Sequence, residues 1–364
     1  MPYRVRPNVL KMHPYSPGKP IEEVQRELGL TDVVKLASNE NPLGPSPLAV
    51  KAVIAAAQGM NTYPDASGYK VREALAVHYG IGAEHIVLGN GSDEILNVLG
   101  QVFLDGPNDS AVMGWPSFLR YPATAHLADS QCVLVPLDKQ WRHDINAMIA
   151  ALTPATRLVF VANPNNPTGT LVPSSDIERL IAALPGGAVL VLDEAYYEFA
   201  RDVPGYPDSL QWVKDGRPVV VTRTFSKSYG LAGIRMGYAF APLEIVDAFN
   251  RVREPFDVNS LAQAAAIAAL GDTDHLAQTL EVNSQGMHRI VSRMKELGHA
   301  TVESHANFVC VETKRPSKEV ADALLREGVI VRSGHVFDMP GHIRVTIGTP
   351  EEVERFLTAY KKVV

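Results

Sequence analysis

Six runs in the middle of the chain are apolar almost throughout: SAVMGW (110–115), QCVLVPL (131–137), RLVFVAN (157–163), AVLVLDE (188–194), PVVVTRT (218–224) and MGYAFA (236–241). A strand covered on one face alternates apolar with polar side chains, whereas a strand covered on both faces need not. From Pro47 onward such runs share the chain with stretches of helical spacing, among them LAVKAVIAAAQ, KVREALAVHY and DEILNVLGQVF. A helix between two strands returns the second parallel to the first by a right-handed crossover. The expected fold is α/β, with a large domain built on a mostly parallel sheet flanked by helices.

The two ends read differently. The first 45 or so residues carry HPYSPGKP and SNENPLGPSP and read as an extended arm with one short helix around IEEVQRELGL. Beyond about residue 243 long helical stretches lead into short strands (ANFVCVET, VIVRSG, HIRVTIG) and further helices, the pattern of a smaller α+β domain. The expected division is an arm over 1–45 joining the small domain, a large domain over 46–245 and a small domain over 246–364. A chain of 364 residues can support two lobes.

A net charge of −6 gives no reason to expect nucleic acid or an anionic membrane as partner. The N-terminus has no apolar signal-peptide core, and no apolar run reaches the ~18 residues of a membrane span, so a cytoplasmic protein is expected. Neither HExxH nor CxxC occurs, and no metal is expected. Cys132 and Cys310 lie in apolar stretches and read as buried reduced thiols.

In a doubly wound sheet, ligands bind beyond the carboxyl ends of the strands. The polar residues of this chain fall there. IVLGN is followed by GSDE, LVFVAN by PNNPTG, VLVL by DEAYYEF and VVVTRT by FSKS. GNGSDE (89–94) reads as an anion site on a helix N-terminus or as a helix merely capped by Ser92. Asp193, closing an apolar strand, needs a cationic partner or caps the next turn. Tyr196 follows three residues later, on the same side of a helical turn. Asn166 alone would pass for turn chemistry. Arg235, in GIRMG, is a planar donor fork suited to phosphate or a surface ion pair.

Lys227 is the residue that joins these parts. A lysine at the end of a buried strand loses water from its charge. The loss is avoided if its nitrogen is bound covalently to an electrophilic carbon. A phosphate held by a helix N-terminus, hydroxyls and an arginine, a ring base facing a carboxylate, and an oxygen met by Asn and Tyr together describe pyridoxal 5′-phosphate. The other reading is a lysine pairing with phosphate in some other nucleotide site.

The chain resembles the fold type I pyridoxal-phosphate aminotransferases, and within them the subfamily acting on histidinol phosphate. YSPGKPIEEVQRELG, KLASNENPLGPSP, YPDASGYKVREALA, GNGSDEIL, NPNNPTGT, VLDEAYYEF, TFSKSYGLAGIRMGY and IRVTIGT carry the likeness almost end to end. The resemblance implies that Lys227 binds the cofactor covalently, that Asp193 pairs with its ring nitrogen, and that Tyr196 and Asn166 hold its phenolic oxygen. Ser92, Asp93, Thr224, Ser226 and Arg235 would bind the phosphate. Tyr63 would reach the cofactor phosphate of a neighbouring subunit, implying a homodimer with shared sites. Arg344, Arg332 and Tyr15, with Asn166, would hold the substrate. Phe118 stands where the family usually has a tyrosine stacked on the ring; it keeps the stacking face and loses the hydroxyl.

The implied reaction is a transamination between L-histidinol phosphate and 2-oxoglutarate, yielding glutamate, with Lys227 moving the proton and ping-pong kinetics. Three other readings share the scaffold: an aromatic amino-acid aminotransferase, a phosphothreonine-type decarboxylase, and a cofactor-binding regulator. The last usually carries an added DNA-binding domain, and no basic helix-turn-helix segment is present.

Overall fold

The structure is a computed structural model, and it describes residues 3–10, 12, 14 and 19–364. Its strands are β1 (Val34–Leu36), β2 (Ile86–Gly89), β3 (Ser110–Trp115), β4 (Gln131–Pro136), β5 (Thr156–Ala162), β6 (Val189–Asp193), β7 (Val219–Thr224), β8 (Gly237–Phe240), β9 (Phe308–Glu312), β10 (Val329–Ser333) and β11 (His342–Thr346).

Seven of them form one sheet in the order β2-β8-β7-β6-β5-β3-β4. All neighbours are parallel except those of β8, which runs antiparallel to both β2 and β7. The cause is local. Between β7 and β8 the chain has only a loop and a one-turn 3₁₀ helix, Ala232–Ile234, so no helical crossover carries it back.

The sheet is buried on both faces, and its side chains divide between two cores with period two. Val112, Val159, Val161, Leu190 and Leu192 enter one core, packed with Leu75, Ile177 and Leu180. Ala111, Met113, Leu158, Phe160, Val189 and Val191 enter the other, with Ile95, Leu99 and Tyr121. This two-sided burial is why the runs are apolar throughout. The exception is β4, the edge strand, whose Leu134 is exposed. Cys132 on that strand is consequently only half-buried, not buried as its apolar setting suggested; Cys310 is buried, and both thiols are free.

The second sheet has the order β1-β10-β11-β9, with β1 parallel to β10 and the other pairs antiparallel. Strand β1 lies in the KLASNE stretch of the N-terminal arm. Val309, Val311, Val329, Ile343 and Val345 make its core with helices Thr273–Glu296, Ser317–Arg326 and Pro350–Val363. The last helix opens with a reciprocal cap: Thr349 accepts from the Glu352 backbone N–H, and Glu352 accepts from that of Thr349.

Candidate active site

Parallel neighbours end on the same side, so the loops after β5, β6 and β7 emerge together. Ala162 is in register with Asp193, and Asp193 with Thr222. Chain order along the sheet reverses between β3 and β5, the place where a doubly wound sheet opens a crevice. A cavity of about 150 Å³ lies there. Its walls include Ser92, Asp93, Phe118, Asn166, Asp193, Tyr196, Thr224, Ser226, Lys227 and Arg235. These are ten of the residues singled out in the sequence, drawn from six separate segments. Tyr121 also lines it, a residue that sequence reasoning passed over.

Asp193 is 4 % exposed. It accepts a hydrogen bond from the Tyr121 phenol at 2.7 Å and another from the Ala195 N–H at 3.2 Å. Burial pushes its carboxyl above the usual range, against the pull of the Tyr121 bond. Lys227, partly buried in the loop after β7, has its Nζ 3.5 Å from the Ser38 carbonyl and 5.9 Å from the centroid of the Tyr196 ring. Burial, aided by the Arg344 charge, lowers its amine to about 8. A lysine so placed is largely neutral in mildly alkaline solution and can act as nucleophile or base.

The helix after β2 spans Ser92–Phe103, and its N-cap is Gly91 at φ 79°, with no side-chain cap. Ser92 is therefore the first helical residue and leaves the first-turn amides uncapped. Opposite, Arg235 holds a left-handed backbone at φ 62°. It donates to the Ala232 carbonyl at 3.1 Å, and its Nη2 is 3.5 Å from Asp93. A methyl group on Gly91 would collide with this guanidinium, and one on Gly237 would collide with the Ser92 backbone. Thr224 donates to Ser226 Oγ at 3.0 Å beside them. The result is a cradle of amides, hydroxyls and a guanidinium, the donor set of a phosphate site.

Arg344 on β11 reaches this group from the small sheet. It donates to Asn166 Oδ1 at 2.5 Å and to the Ala37 carbonyl at 2.8 Å. Arg332 on β10 is its partner in register. Both guanidinium groups lie over Phe337, at 5.1 and 5.8 Å from its centroid. Tyr63 is placed elsewhere: it is 81 % exposed and stacks on Phe256 at 4.6 Å. Tyr15 lies outside the described residues.

A buried ion pair supports the floor of the site. Arg223 donates through Nε and Nη2 to Glu194 Oε2 at 2.9 and 2.7 Å, and its guanidinium sits 3.3 Å from the Tyr197 ring centroid. Ser228, next to Lys227, donates to buried Glu198 at 2.9 Å. The residues next to Asp193 and Thr224 are thus bonded to each other, and the residue next to Lys227 is held by Glu198.

Residues 31–359 match the family Aminotransferase class I and II. The chain belongs to the class I and II aminotransferases. It is 48 % identical over 362 residues to a histidinol-phosphate aminotransferase of Moorella thermoacetica, covering 99 % of this chain and 93 % of that one. It is 44 % identical over 360 residues to histidinol-phosphate aminotransferase 2 of Carboxydothermus hydrogenoformans, with 99 % of each covered. Among solved structures, the histidinol-phosphate aminotransferase of Sinorhizobium meliloti in complex with pyridoxal-5′-phosphate superposes with a TM-score of 0.90 at 29 % identity, covering 99 % of this chain and 97 % of that one.

The site of this aminotransferase fits such a cofactor on its own geometry. Asp193 is a buried carboxylate whose hydrogen-bond donors are neutral, and among the described residues no cation pairs with it. A protonated ring nitrogen would supply the missing charge. The uncapped helix end with Arg235, Thr224 and Ser226 would take the phosphate, and Lys227 offers a nitrogen of lowered basicity in the same cavity. Among the described residues no cluster suited to a metal ion occurs, and no helix is long and apolar enough to cross a membrane.

Proposed function

We propose that this aminotransferase uses pyridoxal 5′-phosphate to move the amino group of L-histidinol phosphate to 2-oxoglutarate, forming 3-(imidazol-4-yl)-2-oxopropyl phosphate and L-glutamate in histidine biosynthesis. The observation that carries the proposal is the single cavity in which Lys227, Asp193, Asn166, Tyr196 and the phosphate cradle meet below Arg344. Relatives that match over nearly the whole chain bear the histidinol-phosphate name, which favours that substrate over an aromatic amino acid on the same scaffold.

Bound here, pyridoxal phosphate supplies an electrophilic carbon and an electron sink for the pair left when a substrate α-proton is removed. The protein's own groups do the rest. The Lys227 amine would hold the cofactor, then take the substrate α-proton and deliver it to the cofactor's aldehyde-derived carbon, across the nitrogen from the α-carbon. Asp193 would keep the ring nitrogen protonated; opposite charges ~4 Å apart at an effective dielectric near 20 attract by about 4 kcal/mol before desolvation is subtracted. Asn166 and Tyr196 would donate to the phenolic oxygen, and Phe118 would stack on the ring. Ser92 and Asp93 amides, Thr224, Ser226 and Arg235 would anchor the phosphate, so that the ring stays in place when the lysine lets go.

Arg344 and Arg332, with Asn166 and Tyr15, would receive the anionic end of each substrate in turn, phosphate or carboxylate. Both arginines project from the second sheet, in keeping with a small domain over 246–364 joined by an arm over 1–45 and closing on a large domain over 46–245. Exposed Tyr63 would reach the cofactor phosphate of a second copy, making the working form a homodimer, in the cytoplasm.

The test is a pair of half-reactions on the cofactor-loaded protein, with histidinol phosphate and phenylalanine side by side. Faster conversion of the visible band by histidinol phosphate is expected. Preference for phenylalanine would assign the chain to aromatic amino acids instead.

A further inference from the structure

Asn39 is 2 % exposed and adopts a left-handed backbone, φ 55°, which asparagine tolerates better than most side chains. It bonds to three separate segments of the chain. Its backbone N–H donates to Thr346 Oγ1 at 2.9 Å, and its carbonyl accepts from Asn307 Nδ2 at 3.0 Å. Its side-chain Oδ1 lies 3.0 Å from Thr346 Oγ1, and its Nδ2 lies 2.9 Å from the Tyr196 hydroxyl.

The amide faces Thr346 with its oxygen. Thr346 Oγ1 accepts the Asn39 backbone N–H and donates its own proton to Oδ1. That leaves Nδ2 toward Tyr196. The phenol oxygen therefore accepts from Asn39, and its proton is directed away from Asn39. A hydroxyl that accepts a hydrogen bond is a stronger donor in turn.

Strand β11 links this network to the anion-binding arginine. Thr346 lies two residues after Arg344, on the same face of the strand. Arg344 holds Asn166 directly, and Thr346 holds Tyr196 through Asn39. Both groups assigned to the cofactor's phenolic oxygen are thus tied to one strand of the second sheet.

We infer that Asn39 is a positioning residue for Tyr196: its amide turns the phenol into a donor toward the cavity and couples that donor to β11. The inference rests on the cofactor assignment proposed above.

The test is the pH midpoint at which the visible band of protein loaded with pyridoxal phosphate changes. A donor at the phenolic oxygen stabilises the less protonated form, so weakening it raises the midpoint. Asn39→Gly, which accepts the left-handed backbone without strain, should raise it by about half a unit to one unit, the equivalent of one neutral hydrogen bond. Asn39→Asp, whose carboxylate would draw the phenol proton to itself, should raise it at least as far. Thr346→Val keeps Asn39 and removes the donor that orients it, and should shift the midpoint the same way. In a Tyr196→Phe background, Asn39→Gly should add nothing. Unshifted midpoints in the Asn39 and Thr346 variants, or an equal shift with Tyr196 replaced, would overturn the inference. A wild-type protein that forms no visible band would refute the cofactor assignment instead.

Discussion

The Tyr121 phenol donates to Asp193 Oδ2 at 2.7 Å, from a ring stacked on Phe160 with centroids 4.9 Å apart. The stack holds the phenol rigid, so the carboxylate is oriented by a group that cannot follow it if it moves. Tyr121→Phe keeps the stack and removes a hydrogen bond to a charged acceptor, for which about 1.5–3 kcal/mol is usual. Turnover of the loaded enzyme is expected to fall roughly tenfold or more. Asp193→Asn removes the counter-charge itself and should retain cofactor while losing roughly a thousandfold in turnover. Steady-state kcat for the two variants checks the order; near-normal turnover in Asp193→Asn would remove its role.

The lowered basicity of Lys227 sets a pH window. Its amine sits at about 8 in the folded protein against an ordinary 10.5, chiefly through burial. In cofactor-free protein, the rate of pyridoxal-phosphate capture should rise with pH and level off above about 8. Linkage gives a second reading. Between about pH 8 and 10.5 the unfolded chain binds the proton that the folded one has released, so stability from this group rises with pH. Below about 8 the burial penalty is present in full. Lys227→Met should therefore exceed wild type in denaturation midpoint at pH 7, with the gap closing toward pH 10.5.

Arg344 binds Asn166 from the second sheet, and the proposed function assigns its fork to the anionic end of the substrate. Arg344→Gln should raise KM for both histidinol phosphate and glutamate by roughly 10- to 100-fold, the range of a charge-assisted hydrogen bond. Arg344→Lys should restore only part, because an ammonium cannot span the same two acceptors. An unchanged KM for both substrates would move the anion site elsewhere.

The helix Pro47–Ala56 leaves Leu48, Val50 and Ile54 exposed, and Met60 and Tyr63 continue the apolar surface. Ile54 and Val50 also border a groove floored by Gly230 and Ile234, in the loop that carries Lys227. If this face meets a second copy, sedimentation should give twice the 39.5 kDa of one chain. Ile54→Arg should then yield monomer that retains cofactor poorly. A wild-type chain that sediments at 39.5 kDa would contradict the shared site.

The strands were legible because a doubly covered sheet needs apolar side chains at every position, as Val189–Leu192 illustrate. The candidate site was legible because the fold places the residues after each strand side by side, so Asp193 and Lys227 stood out by position, while Asn166, which alone would pass for turn chemistry, gained meaning only in their company. Residues held by packing were not legible. Tyr121 belongs to a helix, and nothing local marks its reach to Asp193. Asn39 sits in a turn-rich arm, where asparagine is common for local reasons, and its partners lie 157 and 307 positions away. The Arg223–Glu194 pair was hidden in the same way, each member being the sequence neighbour of a residue that drew the attention.

The proposed chemistry turns on the ε-nitrogen of Lys227. Borohydride reduction of the cofactor-loaded protein, followed by proteolysis and mass spectrometry, reads its state directly. The expected result is a single pyridoxyl adduct on the peptide containing TFSKSYG, absent from Lys227→Ala. An adduct on another lysine, or no adduct in a protein that binds the cofactor and turns over substrate, would contradict it.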